Sequence, residues 1–193
     1  MLGRSLRIGK LLGINITLSW SFLLLVVAIS LMMAIRSGDI LIGLVVGPLS
    51  LALISISILA HELGHSVVAQ RLGVKIAEIE LHFFGGAAKM LSLPKRPRDE
   101  IAIAAAGPIV SFALAGLFGA LSIVLPETMG IFGLLASINL MLGGFNLIPA
   151  LPTDGGRILR AALTPKYGPL EATRIAVKIA RVATIGLGAW ALI

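Results

Sequence analysis

Residues 40–71 read ILIGLVVGPLSLALISISILAHELGHSVVAQR. The uncharged stretch from Ile40 to Ala60 is long enough to cross a bilayer, which takes about 20 mostly apolar residues. It runs without a break into His61-Glu62-Leu63-Gly64-His65. Taking Arg71 as the inner boundary and 1.5 Å per residue, His65 lies about 9 Å and His61 about 15 Å deep. An unpartnered ionisable group at such depth costs several kcal/mol, so these side chains need a reason to be there. A buried polar network between helices is the plain alternative, but two His and a Glu within five residues are a costly way to build one.

A helix supplies the reason. Positions four apart differ by about 40° in direction, so His61 and His65 stand one above the other and can both ligate a metal through imidazole nitrogen. Glu62, about 100° round from His61, is left free to face an open ligand position. Zinc held by nitrogen and oxygen with such a position lowers the pKa of its bound water to about 7, and a neighbouring carboxylate can take the proton during attack on a carbonyl. That is hydrolysis chemistry. With three His among 193 residues, chance placement of the pattern is on the order of one in a thousand, which makes the motif strong by itself.

Outward from this helix the chain keeps the same character. It is 58% hydrophobic and 13% charged, with mean hydropathy +1.03, against roughly 25% charged in soluble domains. Four uncharged stretches qualify as membrane spans: Gly13 to Ile35, Ile40 to Ala60, Ile101 to Leu125 and Ile131 to Leu151. The start, with Arg4, Arg7 and Lys10 before an apolar run, looks like a signal peptide, but the run is too long and Met33-Ala34-Ile35-Arg36 offers no small-residue cleavage site. It reads as a retained first helix. The net charge of +7 does not point to nucleic acid, because the basic residues flank apolar runs instead of forming a face interleaved with aromatics. They orient the chain. With a cytoplasmic N-terminus, the loops Arg36–Asp39 and Pro126–Gly130 lie outside and carry one basic residue, while Arg71–Arg98 and Arg157–Lys166 lie inside and carry nine, the asymmetry expected of inside loops. There is no cysteine, so any metal must be held by nitrogen and oxygen.

No repeat or linker divides the chain, and one membrane domain fills residues 1–193. Val74 to Phe83 alternates apolar and polar residues, which is a strand period. Gly85-Gly86 permits a turn or bulge, and Ala87 to Leu93 can return as a second strand. The fold expected is an all-α polytopic membrane protein with a small β-hairpin or sheet between the second and third transmembrane helices. Near the end, Arg174, Lys178 and Arg181 share one helical face, most simply as snorkelling side chains, with anionic lipid contact as the alternative. Beyond Arg181 only about 18 Å of helix remains against a core of about 30 Å. A fifth helix truncated partway is expected, with an interfacial helix as the duller reading.

A third ligand has few candidates, the remaining acidic residues and His82. Asp154 stands out because Asn146-Leu147-Ile148-Pro149-Ala150-Leu151-Pro152 precedes it, and two prolines three apart break an apolar helix there. Non-helical backbone at membrane depth is tolerated only against protein or a wet cavity, which predicts a polar pocket beside the second helix. Asp154 can instead be the N-cap of the helix starting Gly155-Gly156-Arg157, and one carboxylate can hardly be both. Asn146 can donate to the oxyanion of an attacked carbonyl, with a helix-to-helix hydrogen bond as the equal alternative. His82, sharing a strand face with Glu78 and Glu80, reads as part of a solvated sheet surface.

These residues resemble the site-2 protease family of intramembrane metalloproteases, in particular its archaeal and bacterial members. The resemblance rests on His61-Glu62-Leu63-Gly64-His65, Phe84-Gly85-Gly86, Ala106-Gly107-Pro108 and Phe145 to Arg157, in the family's order, and extends from the first helix to about Arg181. It implies that His61, His65 and Asp154 bind one Zn2+, that Glu62 is the general base, and that Asn146 helps hold the scissile carbonyl. The implied activity is hydrolysis of a peptide bond in or near a transmembrane segment of a membrane-protein substrate. A helical substrate must be unwound first, and the segment Ile76 to Ala88, with Phe84, Gly85 and Gly86 as binding residues, can hold it extended by strand addition or can simply cover the site. The family usually has six helices, so a chain ending within the fifth is expected to be cut short. Rival readings are a zinc transporter, which paired repeats and broken helices would favour, and an idle scaffold for membrane partners.

Overall fold

The computed structural model describes residues 5–83, 85–125 and 129–190, without the side chains of Met129 and 183–190. In chain order the elements are β1 (Ser5–Leu11), β2 (Ile14–Ser19), α1 (Trp20–Ser37), α2 (Ile40–Arg71), β3 (Ile76–His82), β4 (Gly85–Met90), α3 (Pro97–Val124), α4 (Met129–Asn146) and α5 (Asp154–Trp190). Phe84, expected beside the substrate, lies outside the described residues.

The first apolar stretch is not one helix from Gly13. Ile14-Asn15-Ile16-Thr17-Leu18-Ser19 alternates apolar and polar residues and forms β2, which pairs antiparallel with β1. Leu12 and Gly13, both with positive φ, make the turn between them. Ser19 then stops the strand and starts α1, its hydroxyl accepting from the Phe22 amide at 3.3 Å.

A four-stranded sheet results, in the order β1-β2-β3-β4. The sheet is therefore larger than a hairpin between the second and third helices. β2 and β3 run parallel, from Asn15 opposite Glu78 to Leu18 opposite Leu81, so α1 and α2 are the crossover between them. β4 closes one edge, antiparallel to β3. One face packs on α2, with Ile14, Ile16 and Ile79 buried against Leu59 and Leu63. On the other, Lys89 Nζ donates to Glu78 Oε1 at 2.7 Å and Glu80 Oε2 at 2.8 Å, and these bonds hold its ammonium above the ordinary lysine value.

Among the described residues, α1, α2 and α3 are long and apolar enough to cross a membrane. The 18 residues of α4 reach about 27 Å, close to the thickness of a bilayer core. It ends at Asn146 instead of Leu151, where Pro149 and Pro152 withdraw backbone donors. Large apolar side chains such as Leu24, Val27, Leu31, Ile109 and Ile123 remain exposed on these helices, which is the surface of a multi-pass membrane protein. α1 buries no residue of its own and meets α2 by close approach: a Cβ on Gly47 would sit 2.6 Å from Ser30 Cα. α5 is interrupted at Gly168 (φ 75°, ψ 163°), which separates a first segment at the site from a second whose face carries Arg174, Lys178 and Arg181, all exposed.

Candidate metal centre

α2 turns His61 and His65 inward, where they are 2% and 3% exposed. Their Nε2 atoms lie 3.1 Å apart. Asp154 Oδ2 lies 3.2 Å from the first and 3.1 Å from the second, so a carboxylate 93 residues downstream of His61 completes a triangle of ligand atoms. His65 Nδ1 is 2.7 Å from the Ile103 carbonyl, which can only accept. The Gly107 amide also approaches Nδ1, at 3.3 Å, but the shorter carbonyl contact decides: Nδ1 carries the proton and Nε2 presents a lone pair to the triangle. His61 Nδ1 is tied to Ser111 Oγ at 2.9 Å. Both outer partners sit on α3, which comes this close because of Gly107: a Cβ there would fall within 2.6 Å of His61 Nε2 and closer still to His65 Nε2.

The segment before Asp154 works as the two prolines require. Pro149 and Pro152 keep residues 147–153 out of helix, with a cis bond at Leu151-Pro152. Thr153 Oγ1 shares its one hydrogen between the Ile148 and Ala150 carbonyls and accepts from the Gly156 amide at 3.4 Å, so the capping role falls to Thr153 and Asp154 is free of it. A Cβ at Gly155 would collide with the Leu147 carbonyl oxygen. The other Asp154 oxygen, Oδ1, accepts from Arg157 Nη1 at 3.2 Å. Deeper in α5, Arg160 pairs with Glu100 at the start of α3.

A cavity of about 260 Å³ opens on the triangle. Besides the three ligand residues it is lined by Glu62, Gly86, Ala87, Ala88, Met90, Asn146, Pro152 and Arg157. One wall is thus α2 with the edge strand β4, and the other is the end of α4 with the start of α5. Glu62 Oε2 accepts from the Ala88 amide at 3.2 Å. Asn146 donates from Nδ2 to Leu142 O of its own helix at 2.9 Å, which leaves the second amide hydrogen for the cavity. The helix-to-helix bond considered for it belongs instead to Asn139, fully buried, which donates to Ser57 Oγ on α2 at 2.9 Å. His82 does not line the cavity. Of the residues expected at the site, His61, Glu62, His65, Asn146, Asp154 and Gly86 come together, with Gly85 at the adjoining strand end. Ser111, Ile103 O, Thr153 and Arg157 were not singled out; only the family segment ending at Arg157 included two of them.

The residues present fit a metal ion. Zinc bonds of about 2.0–2.1 Å at tetrahedral angles place ligand atoms about 3.3 Å apart, close to the separations here. Three such atoms, in turn, cannot satisfy each other. His65 Nε2 and Asp154 Oδ2 both present lone pairs, and among neutral histidines only His61 could place one proton between them. A cation satisfies all three at once, and two nitrogens and one oxygen with an open side toward a cavity are the donor set of a catalytic zinc site.

The sequence profile of peptidase family M50 matches residues 49–130 and 127–187. A zinc metalloprotease of Methanocaldococcus jannaschii is 42% identical over 180 residues, 92% of this chain and 51% of that protein. Stage IV sporulation protein FB of Bacillus subtilis is 30% identical over 157 residues, 78% of this chain and 53% of that one. The chain thus spans about half the length of these curated relatives. The solved structure of the site-2 protease from Methanocaldococcus jannaschii shares the fold, with TM-score 0.71 and 37% identity over 98% of this chain and 85% of that one. With the profile covering most of the sequence and the common architecture nearly all of it, the protein belongs to peptidase family M50, the site-2 proteases.

Proposed function

We propose that this protein is an intramembrane zinc metalloprotease that hydrolyses a peptide bond in or near a transmembrane segment of a membrane-protein substrate. The observation that carries the reading is the convergence of His61 Nε2, His65 Nε2 and Asp154 Oδ2 within 3.2 Å of one another beside a cavity that Glu62 also lines. The ion these atoms would hold, one per chain, supplies Lewis acidity toward a carbonyl oxygen and acidifies water.

The chain's own residues do the rest. Ser111 and the Ile103 carbonyl fix the two imidazoles, and Arg157 steadies the Asp154 carboxylate from its far side. Glu62 takes a proton from the attacking water and delivers it to the leaving amine as the peptide bond breaks. Asn146, on the opposite wall, donates its remaining amide hydrogen to the scissile carbonyl. A substrate must reach this cavity unwound, because a helix hides its carbonyls in its own hydrogen bonds. β4, with its outer edge against the cavity, suits an extended substrate segment paired backbone to backbone. The basic loops orient the N-terminus and the cavity mouth toward the cytoplasm.

The test uses purified protein in detergent. Zinc at one per chain and cleavage of a tagged single-span membrane protein are expected, with Glu62→Gln keeping the zinc and losing the cleavage. A chain that takes up no zinc, or a Glu62→Gln variant that still cleaves, would sink the reading. Zinc flux into liposomes without proteolysis would put a transporter in its place.

A further inference from the structure

The edge that suits a substrate strand is already occupied at one point. In an antiparallel ladder, successive residues turn their N–H and C=O alternately toward the partner strand and away from it. β3 and β4 pair in regular register, His82 with Gly85, Leu81 with Gly86, Glu80 with Ala87 and Ile79 with Ala88. The Ala88 amide points away from β3 to meet Glu62 Oε2 at 3.2 Å, so by alternation Gly86 and Ala88 turn their backbone groups outward while Gly85 and Ala87 face β3. Glu62 rises from α2 beneath the strand, where a Cβ on Gly86 would lie 2.7 Å from Glu62 Cγ. Its carboxylate therefore takes an outward donor of β4 that borders the cavity, along the line an added strand would follow.

We infer that Glu62 latches the substrate-binding edge in the free protein and that a docking strand releases it. The inference rests on the strand-addition reading above. An incoming peptide carbonyl replaces Oε2 as the acceptor for the Ala88 N–H. One hydrogen bond breaks and one forms, no proton changes owner, and Oε2 is freed within the cavity that Glu62 already lines. The base is thereby brought into use only when an extended backbone lies beside it. A folded helix offers no free carbonyl for the exchange, and water alone offers too little to hold the edge open.

Two catalytically idle variants test this, both loaded with zinc. Glu62→Gln keeps a side-chain oxygen that can accept from Ala88, and Glu62→Ala does not. The probe is a fluorescein-labelled decapeptide of alternating Ala and Thr, an extended backbone with little side-chain identity. Glu62→Ala should bind it about 3- to 10-fold more tightly than Glu62→Gln, the scale of one net hydrogen bond. Hydrogen exchange gives a second reading: without peptide the Ala88 amide should exchange faster in Glu62→Ala than in Glu62→Gln, and peptide should remove the difference. Equal affinities, or tighter binding by Glu62→Gln, would overturn the latch while leaving strand addition standing. Failure of both variants to bind the probe would overturn strand addition and the latch with it.

Discussion

Gly107 stands where a single methyl group would end the site. Its Cβ would enter the space between the two imidazole Nε2 atoms, in a helix crossing that cannot retreat without pulling Ser111 and Ile103 away from His61 and His65. Gly107→Ala should therefore reduce zinc content to a small fraction of one per chain while the helical circular dichroism persists; a fully loaded variant would contradict the close approach. Ser111→Ala is milder. It leaves His61 Nδ1 without its buried partner and should weaken zinc binding roughly 10- to 100-fold, as read by chelator competition. At this scale the sequence was generous where chemistry is concentrated: His61, Glu62 and His65 announce themselves by spacing, and Asp154 by the prolines before it. It was silent on Ser111, Asn139 and Thr153, because a hydroxyl or amide on an apolar helix carries no period and acquires its meaning only from the helix packed against it.

The start of α5 is the element on which the third ligand depends. Thr153 caps the helix and Gly155 lets residues 147–153 fold back against it. Thr153→Ala should cost about 1 kcal/mol of stability and leave zinc bound. Gly155→Ala should displace the first turn, lower zinc affinity more than tenfold and cost roughly 1–3 kcal/mol by overpacking. A Gly155→Ala protein with unchanged affinity would mean that Asp154 does not need this turn. Element boundaries moved by a few residues even where breakers mark them: α4 ends at Asn146, ahead of the prolines, instead of at Leu151, and β4 begins at Gly85 instead of Ala87. The difference is larger at the N-terminus. Ile14 to Ser19 carries a clear two-residue alternation, but its apolar members join the run that follows, and length then argues for a longer helix. Only pairing with β3, more than one helix away in sequence, decides the matter for a strand.

For the molecule as a whole, orientation is open to direct measurement, and the absence of cysteine makes it clean. Ser37→Cys, at the end of α1, should react with an impermeant maleimide on intact cells, and Lys95→Cys, before α3, only after permeabilisation; the reverse pattern would invert the topology. Of the four apolar runs expected to span, three become helices α1, α2 and α3 of spanning length among the described residues, and the fourth is the shorter α4; composition carries this much because lipid demands length and little else. The sheet was readable only in its β3–β4 half, where the alternation lies between two helices; β1 and β2 were not, because they join it from the far side of α1 and α2. That parallel pairing of β2 with β3 imposes a schedule on biosynthesis. The β1–β2 ribbon leaves the ribosome first, and a two-stranded ribbon is marginal alone in water. It must wait, flank open, until the polypeptide has gone into the bilayer and come back. A nascent chain that inserts α1 but stalls at α2 delivers the later strands to the wrong compartment, so sheet closure acts as a checkpoint: the roof over the histidine pair is completed only in molecules that have inserted correctly.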